Sequence, residues 1–320
     1  MYVYLETSAL NHFRAKLSNA DALATRELQR ERGRRWVLSP ITAWELLLTR
    51  NLERRESLIS LAQHLLDREM LPTPEEMLVK YIEQGCPPEE KRRPLVSESP
   101  LAATWRDLYD VPDKTFIYDE LAFRIKTYRL ARLMHSLHQT IRSRSVVLTP
   151  YAQELAYGIS LDWMVNRLSV VREVVTLDAD TRNLYKVAIF YIIFLLCVEV
   201  GTHPEATTQF WTKKGIKAPI ERLSYILSHH ETLVWRGPIA QMSMMTVAQA
   251  TGSYSRGLFW DSLHAFYLTY VEVFFSEDVH FFQLRAALGS QPNAKKIVKH
   301  SDFLWVSETR QIERKSFLLP

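Results

Sequence analysis

At 320 residues, with 47% hydrophobic and 24% charged side chains, the chain has the composition of a soluble globular protein and ample length for a substantial core. A formal charge of +4 permits a nucleic-acid partner without demanding one, and two cysteines exclude a disulfide framework or a cysteine-rich zinc site. The opening MYVYLETSAL lacks the pattern of a secretion signal, and the most apolar stretch, residues 187–198, is too short to span a bilayer, so a cytoplasmic protein without membrane contact is expected.

Residues 2–5 read as a short buried strand, with Thr7-Ser8 offering a cap for a helix that carries Ala9, Leu10 and Phe13 and is expected to run to about Gly33. Arg26, Arg30, Arg32, Arg34 and Arg35 gather at that helix end, where cations favour the dipole. A phosphate-binding role is the secondary reading. Residues 36–39 form a second strand, and Pro40 suits the first turn of a helix expected over 41–55. Strand, helix, strand, helix at this spacing implies a parallel sheet with right-handed crossovers.

From about residue 56 to 243 the pattern becomes long and amphipathic, with helices expected over 57–70, 121–141, 151–171, 180–200 and 220–233. His135 and His138, and the adjacent His229 and His230, lack the companions of a zinc site and read as ordinary histidines. The basic groups at residues 91–93, 142–144 and 213–217 are explained by solvated loops as well as by phosphate contacts. Residues 252–257 mark a turn back to α/β patterning. A helix then carries Asp261, an apolar run covers 271–275, and Ser276-Glu277-Asp278 stops it. A helix over 281–288 and a last strand within 296–306 follow. The expected fold class is α/β, a parallel sheet flanked by helices, with 1–55 and 245–320 forming one discontinuous domain and 56–244 a mostly helical insertion.

Acids recur at strand ends and helix starts: Glu6 after the first strand, Glu45 in the helix after the second, Asp261, and Asp278 where the late apolar run stops. Each alone is explained by capping or dipole compensation. Four together suggest a divalent-metal site, because Mg²⁺ and Mn²⁺ take hard oxygen ligands.

The segments Tyr4-Leu5-Glu6-Thr7-Ser8-Ala9-Leu10-Asn11, Ser39-Pro40-Ile41-Thr42-Ala43-Trp44-Glu45-Leu46, Asp261-Ser262-Leu263-His264-Ala265 and Phe275-Ser276-Glu277-Asp278-Val279-His280-Phe281 together resemble the four motifs of the PIN-domain nucleases, in order. The resemblance covers about 1–55 and 250–310. It implies a PIN-like sheet in which Glu6, Glu45, Asp261 and Asp278 bind Mg²⁺ or Mn²⁺ for hydrolysis of phosphodiester bonds, with RNA the expected substrate and DNA the lesser one. Ser8, Asn11, Ser276 and His264 are candidates for orienting water or phosphate. One departure stands out: the family opens with aspartate where this chain has Glu6, moving the carboxylate by roughly one C–C bond. That substitution motivates a rival expectation, a catalytically impaired PIN-like scaffold that binds RNA or protein. A structure-selective DNA nuclease and a helical interaction protein are the further alternatives. The helical block is expected to serve partner binding, gating or homo-oligomerisation, as in a toxin held by an antitoxin or a phage-defence effector held by a regulator.

Overall fold

The computed structural model describes residues 1–87, 97, 99–113, 135, 137–139, 142, 179–198, 203–250 and 257–299. The helix expected over 151–171, most of that over 121–141, and the basic group at 91–93 lie outside those residues. In chain order the described elements are β1 (Tyr2–Leu5), α1 (Thr7–Arg14), α2 (Asn19–Glu31), β2 (Arg35–Val37), α3 (Pro40–Leu48), α4 (Leu52–Leu65), α5 (Pro74–Glu83) and α6 (Pro100–Asp110). There follow α7 (Ala179–Ile192), continued by a π-helical turn over Ile193–Cys197, then α8 (Pro204–Lys214), α9 (Pro219–His229), α10 (Thr232–Trp235), α11 (Pro238–Gln249) and α12 (Gly257–Ala265). The last are β3 (Val273–Phe275), α13 (Val279–Leu288) and β4 (Ile297–Val298). Among the described residues no helix is long and apolar enough to cross a membrane.

Two expected helices are each two. The run to Gly33 breaks before α2, because Ser18 accepts the Asp21 amide at 3.2 Å while Asp21 accepts the Ser18 amide at 3.3 Å, a reciprocal cap that starts a new helix. The helix expected over 41–55 ends at Leu48, and Asn51 caps α4 by accepting the Arg54 amide at 2.8 Å. Gly33, at φ +70°, makes the turn into β2.

The chain divides into two compact units, residues 1–71, 96–117 and 270–320 in the first and 72–95 and 118–269 in the second. This division differs from boundaries at 55 and 245. α4 stays with the sheet because Leu58, Leu61, Ala62 and Leu65 bury in the same apolar cluster as Val3, Leu5, Trp36 and Phe275.

In the first unit the strands stand in the order β2-β1-β3-β4, all parallel, so the chain is α/β. Val3 lies opposite Trp36 on one side and Val273 on the other, and Phe274 opposite Ile297. Strands covered on both faces should be apolar throughout, and Val3, Tyr4, Leu5, Trp36, Phe274 and Phe275 are all buried. Trp36 stacks on Phe275 with ring centroids 5.9 Å apart, and Phe13 lies 6.1 Å from Trp36. Such rings each contribute roughly 1.5–3 kcal/mol by leaving water. Beyond β2, the Asp67 carboxylate accepts the Trp36 amide at 2.7 Å and the Leu71 amide reaches the Leu38 carbonyl.

The described elements of the second unit are all helices. α7 packs on α11, and α11 on α12. Between them runs a buried polar chain in which Tyr191 Oη meets Thr246 Oγ1 at 2.8 Å, Thr246 meets Ser262 at 2.9 Å, and Ser262 donates to Gln249 Oε1 at 3.1 Å. Full pairing offsets the cost of burying these groups and fixes the helix register. His138 is buried and held down to a pKa of about 4 by desolvation, so it is a neutral interior histidine, whereas His135 is exposed beside Gln139.

Candidate functional site

In a parallel α/β sheet the carboxyl ends of the strands face the helix starts, and ligand chemistry collects there. Glu6 follows β1 directly, with its amide donating to the Phe275 carbonyl at 3.1 Å, and its backbone turns into α1. Its side chain folds back and is itself the cap of α1: Oε1 accepts the Ser8 amide at 3.0 Å, replacing the Thr7-Ser8 cap read from the sequence. Oε2 accepts from the hydroxyls of Ser8 and, at 3.1 Å, Ser276.

A serine hydroxyl has one proton to give, and both serines give it to Glu6. Their lone pairs take backbone amides from the loop after β3: Ser8 accepts Glu277 N at 2.9 Å and Ser276 accepts Asp278 N at 3.0 Å. The two serines therefore tie the end of β3 to the end of β1 around one carboxylate. Asp278 caps α13, accepting the His280 amide at 2.8 Å, and His280 Nδ1 lies 2.9 Å from the same oxygen.

Glu45 reaches this edge from α3, where Thr7 Oγ1 donates to its Oε2. Carboxylate oxygens of Glu6 and Glu45 lie within 4.8 Å of each other, as do ligand atoms of Asp278 and His280. Tyr4 sits fully buried beneath, hydrogen-bonded to Ser39 at 2.7 Å and Thr42 at 3.0 Å. Burial above all, and then the charges of Glu6 and Glu45, hold its phenol well above the usual range, so it stays neutral. A second relay leaves the edge through α1: Asn11 Nδ2 donates to the Thr7 carbonyl at 2.9 Å, while its Oδ1 accepts from Arg54 Nη2 at 2.6 Å and Nε at 3.2 Å.

Compared with family models, curated proteins and solved structures, the chain matches none.

Three of the four acids singled out in the sequence thus belong to the first unit, and Glu6 and Asp278 share Ser276 as a neighbour. Asp261 belongs to the second unit, where it is buried and accepts from Gln249 Nε2 at 3.1 Å; His264, also buried, belongs there too. Ser8 and Ser276 hold Glu6, and Asn11 holds Arg54. Thr7, which the sequence offers only as a cap, and Arg54, which it does not single out, join this edge through Glu45 and Asn11. One signal was legible for Arg54: Arg50, Arg54 and Arg55 crowd the start of α4, the end of a helix that disfavours cations. The arginine group at the end of α2 has another setting. Arg30 pairs with Asp67 and Arg35 with Glu69, and with Gly33 and Arg68 these residues line an open cleft of about 530 Å³ whose charges are largely mutually compensated.

Proposed function

We propose that this chain is a PIN-type, metal-dependent endoribonuclease whose first unit carries the cation site on Glu6, Glu45 and Asp278. The observation that supports this most is the meeting of Glu6 and Glu45 oxygens within 4.8 Å at the carboxyl edge of an all-parallel sheet. Oxygens each about 2.1 Å from one cation stand no more than about 4.2 Å apart, so a small side-chain adjustment brings the pair within reach of Mg²⁺ or Mn²⁺. Carboxylates are the hard donors these ions prefer. When bound, such an ion neutralises phosphate charge and lowers the pKa of water.

The chain's own groups supply positioning. Ser8 and Ser276 fix the Glu6 rotamer, Thr7 fixes Glu45, and Arg54, held by a neutral amide oxygen, offers its charge to a phosphate beside the site. The resemblance adds Asp261 to the set and a regulatory or partner-binding role to the helical unit, as expected of a toxin or defence effector.

A second reading has its own support. Glu6 already receives three donors as a helix cap, which is what a binding scaffold without catalysis would retain. Incubation of a generic single-stranded RNA with Mn²⁺ separates the two, using wild type, Glu6→Asp and Asp278→Asn. Cleavage by wild type and its loss in Asp278→Asn support the nuclease; a silent wild type with activity gained in Glu6→Asp supports the scaffold. Competition by branched DNA distinguishes a DNA nuclease.

A further inference from the structure

The two cysteines of this chain sit in opposite chemical settings. Cys197 lies fully buried in the π-helical turn, and desolvation pushes its thiol far up, so it is an inert apolar group. Cys86 is half-buried and follows α5 in the second unit. Gly85 and Cys86 both take the left-handed conformation, at φ +71° and +52°, closing the helix with Gly85 N on the Ile82 carbonyl and Cys86 N on the Tyr81 carbonyl, each at 2.9 Å. Glycine does this freely; a cysteine seldom does.

The turn brings Cys86 Sγ to 3.7 Å from His230 Nδ1, 144 residues away in sequence. His230 ends α9, with its amide on the Ile226 carbonyl at 2.7 Å. Burial first, then the charges of His229 and Lys214, hold its imidazole below the ordinary value, so it is neutral and able to take a proton. Lys214 is itself held over the rings of Tyr225 at 5.5 Å and Phe210 at 5.8 Å, and His229 stacks on Tyr225 with centroids 4.5 Å apart. On α5, Glu83 lies 4.0 Å from Lys213. The charges of Lys214 and His229 thus bear on the His230 imidazole, and Glu83 on the neighbouring helix is engaged by Lys213.

We propose that Cys86 is a reactive thiol with His230 as its proton acceptor, a modification site for low-molecular-weight disulfides and soft alkylating electrophiles. His230 in the Nε2–H tautomer takes the thiol proton on Nδ1. The Cys86 sulfur then attacks one sulfur of the small disulfide, a new S–S bond forms as the old one breaks, and the departing half leaves as a thiolate that recovers the proton. Cys86 is oxidised to a mixed disulfide and the small disulfide is reduced to one thiol. The proposal is independent of the nuclease reading, since it uses none of the acids at the sheet edge.

The test uses the full chain at neutral pH with iodoacetamide and, separately, glutathione disulfide as probes, and reads each cysteine by peptide mass mapping over time. Native Cys86 is expected to react about ten-fold faster than Cys86 in the urea-unfolded chain, with native Cys197 unreactive and the His230→Gln rate falling back toward the unfolded value. Native Cys86 reacting no faster than the unfolded thiol overturns the proposal, as does a folded His230→Gln chain that keeps the wild-type rate. Should His230→Gln not fold, judged by its circular dichroism, His230→Asn takes its place, and the native-against-unfolded comparison on wild type decides by itself.

Discussion

Ser276 Oγ lies 3.1 Å from Glu6 Oε2, joining the end of β3 to the end of β1 across nearly the whole sequence, and the same hydroxyl accepts the Asp278 amide. One small side chain thus orients two acids of the proposed site. Ser276→Ala leaves Glu6 short of a donor and the Asp278 amide without that acceptor. We expect a loss of about 1–3 kcal/mol in urea unfolding, since buried groups left unpaired cost that much. Ser276→Thr, which keeps the hydroxyl, is expected to restore most of it.

Added Mn²⁺ is expected to raise the melting temperature of wild type, because a ligand that binds only the folded chain stabilises it by mass action. Glu45→Gln and Asp278→Asn should each lose most of that shift, measured by calorimetry. The resemblance expects the same of Asp261→Asn; an unchanged shift in that variant would take Asp261 out of the cation site. Equal shifts in wild type and in Glu45→Gln would end the proposal of a cation at this edge.

The second unit carries a pH-dependent pair. His203 Nδ1 lies 3.4 Å from Glu76 Oε1, and Glu76 is buried and bound through Oε2 to the Thr73 amide at 2.7 Å. Hydrogen bonding to Glu76 raises the histidine's pKa against a smaller opposing effect of burial. A raised folded value means the stabilisation is complete below the unfolded pKa of about 6.5 and is lost as pH rises through the folded value. The unfolding free energy from urea titration should therefore fall between about pH 6 and pH 8 by no more than about 1 kcal/mol, and His203→Gln should flatten that slope.

Trp36 is fully buried between Phe13 and Phe275. Trp36→Ala is expected to cost about 3–5 kcal/mol, a large share of a typical domain's stability, with the urea midpoint as the readout. Trp36→Phe, which keeps an aromatic ring in the same space, should cost much less.

The sequence by itself determined what depends on near neighbours. The strand at residues 2–5 is legible because its apolar run is bounded by Glu6 and Thr7, and the stop at Ser276 because three polar residues end an apolar run. Caps mislead where two options compete locally: the Ser18-x-x-Asp21 spacing marks a helix start inside a run that reads as one helix, and Glu6 rather than Thr7 or Ser8 caps α1. Only the tertiary structure decided which acids share an edge. Glu6 and Glu45 come within 4.8 Å and Asp278 is tied to Glu6 through Ser276 because β1 lies between β2 and β3, and strand order is set by burying Val3, Trp36 and Phe275 in one core, an energy summed over residues far apart in the chain. The pairing of Cys86 with His230 arises in the same way, from how helices pack, and no local pattern announces it.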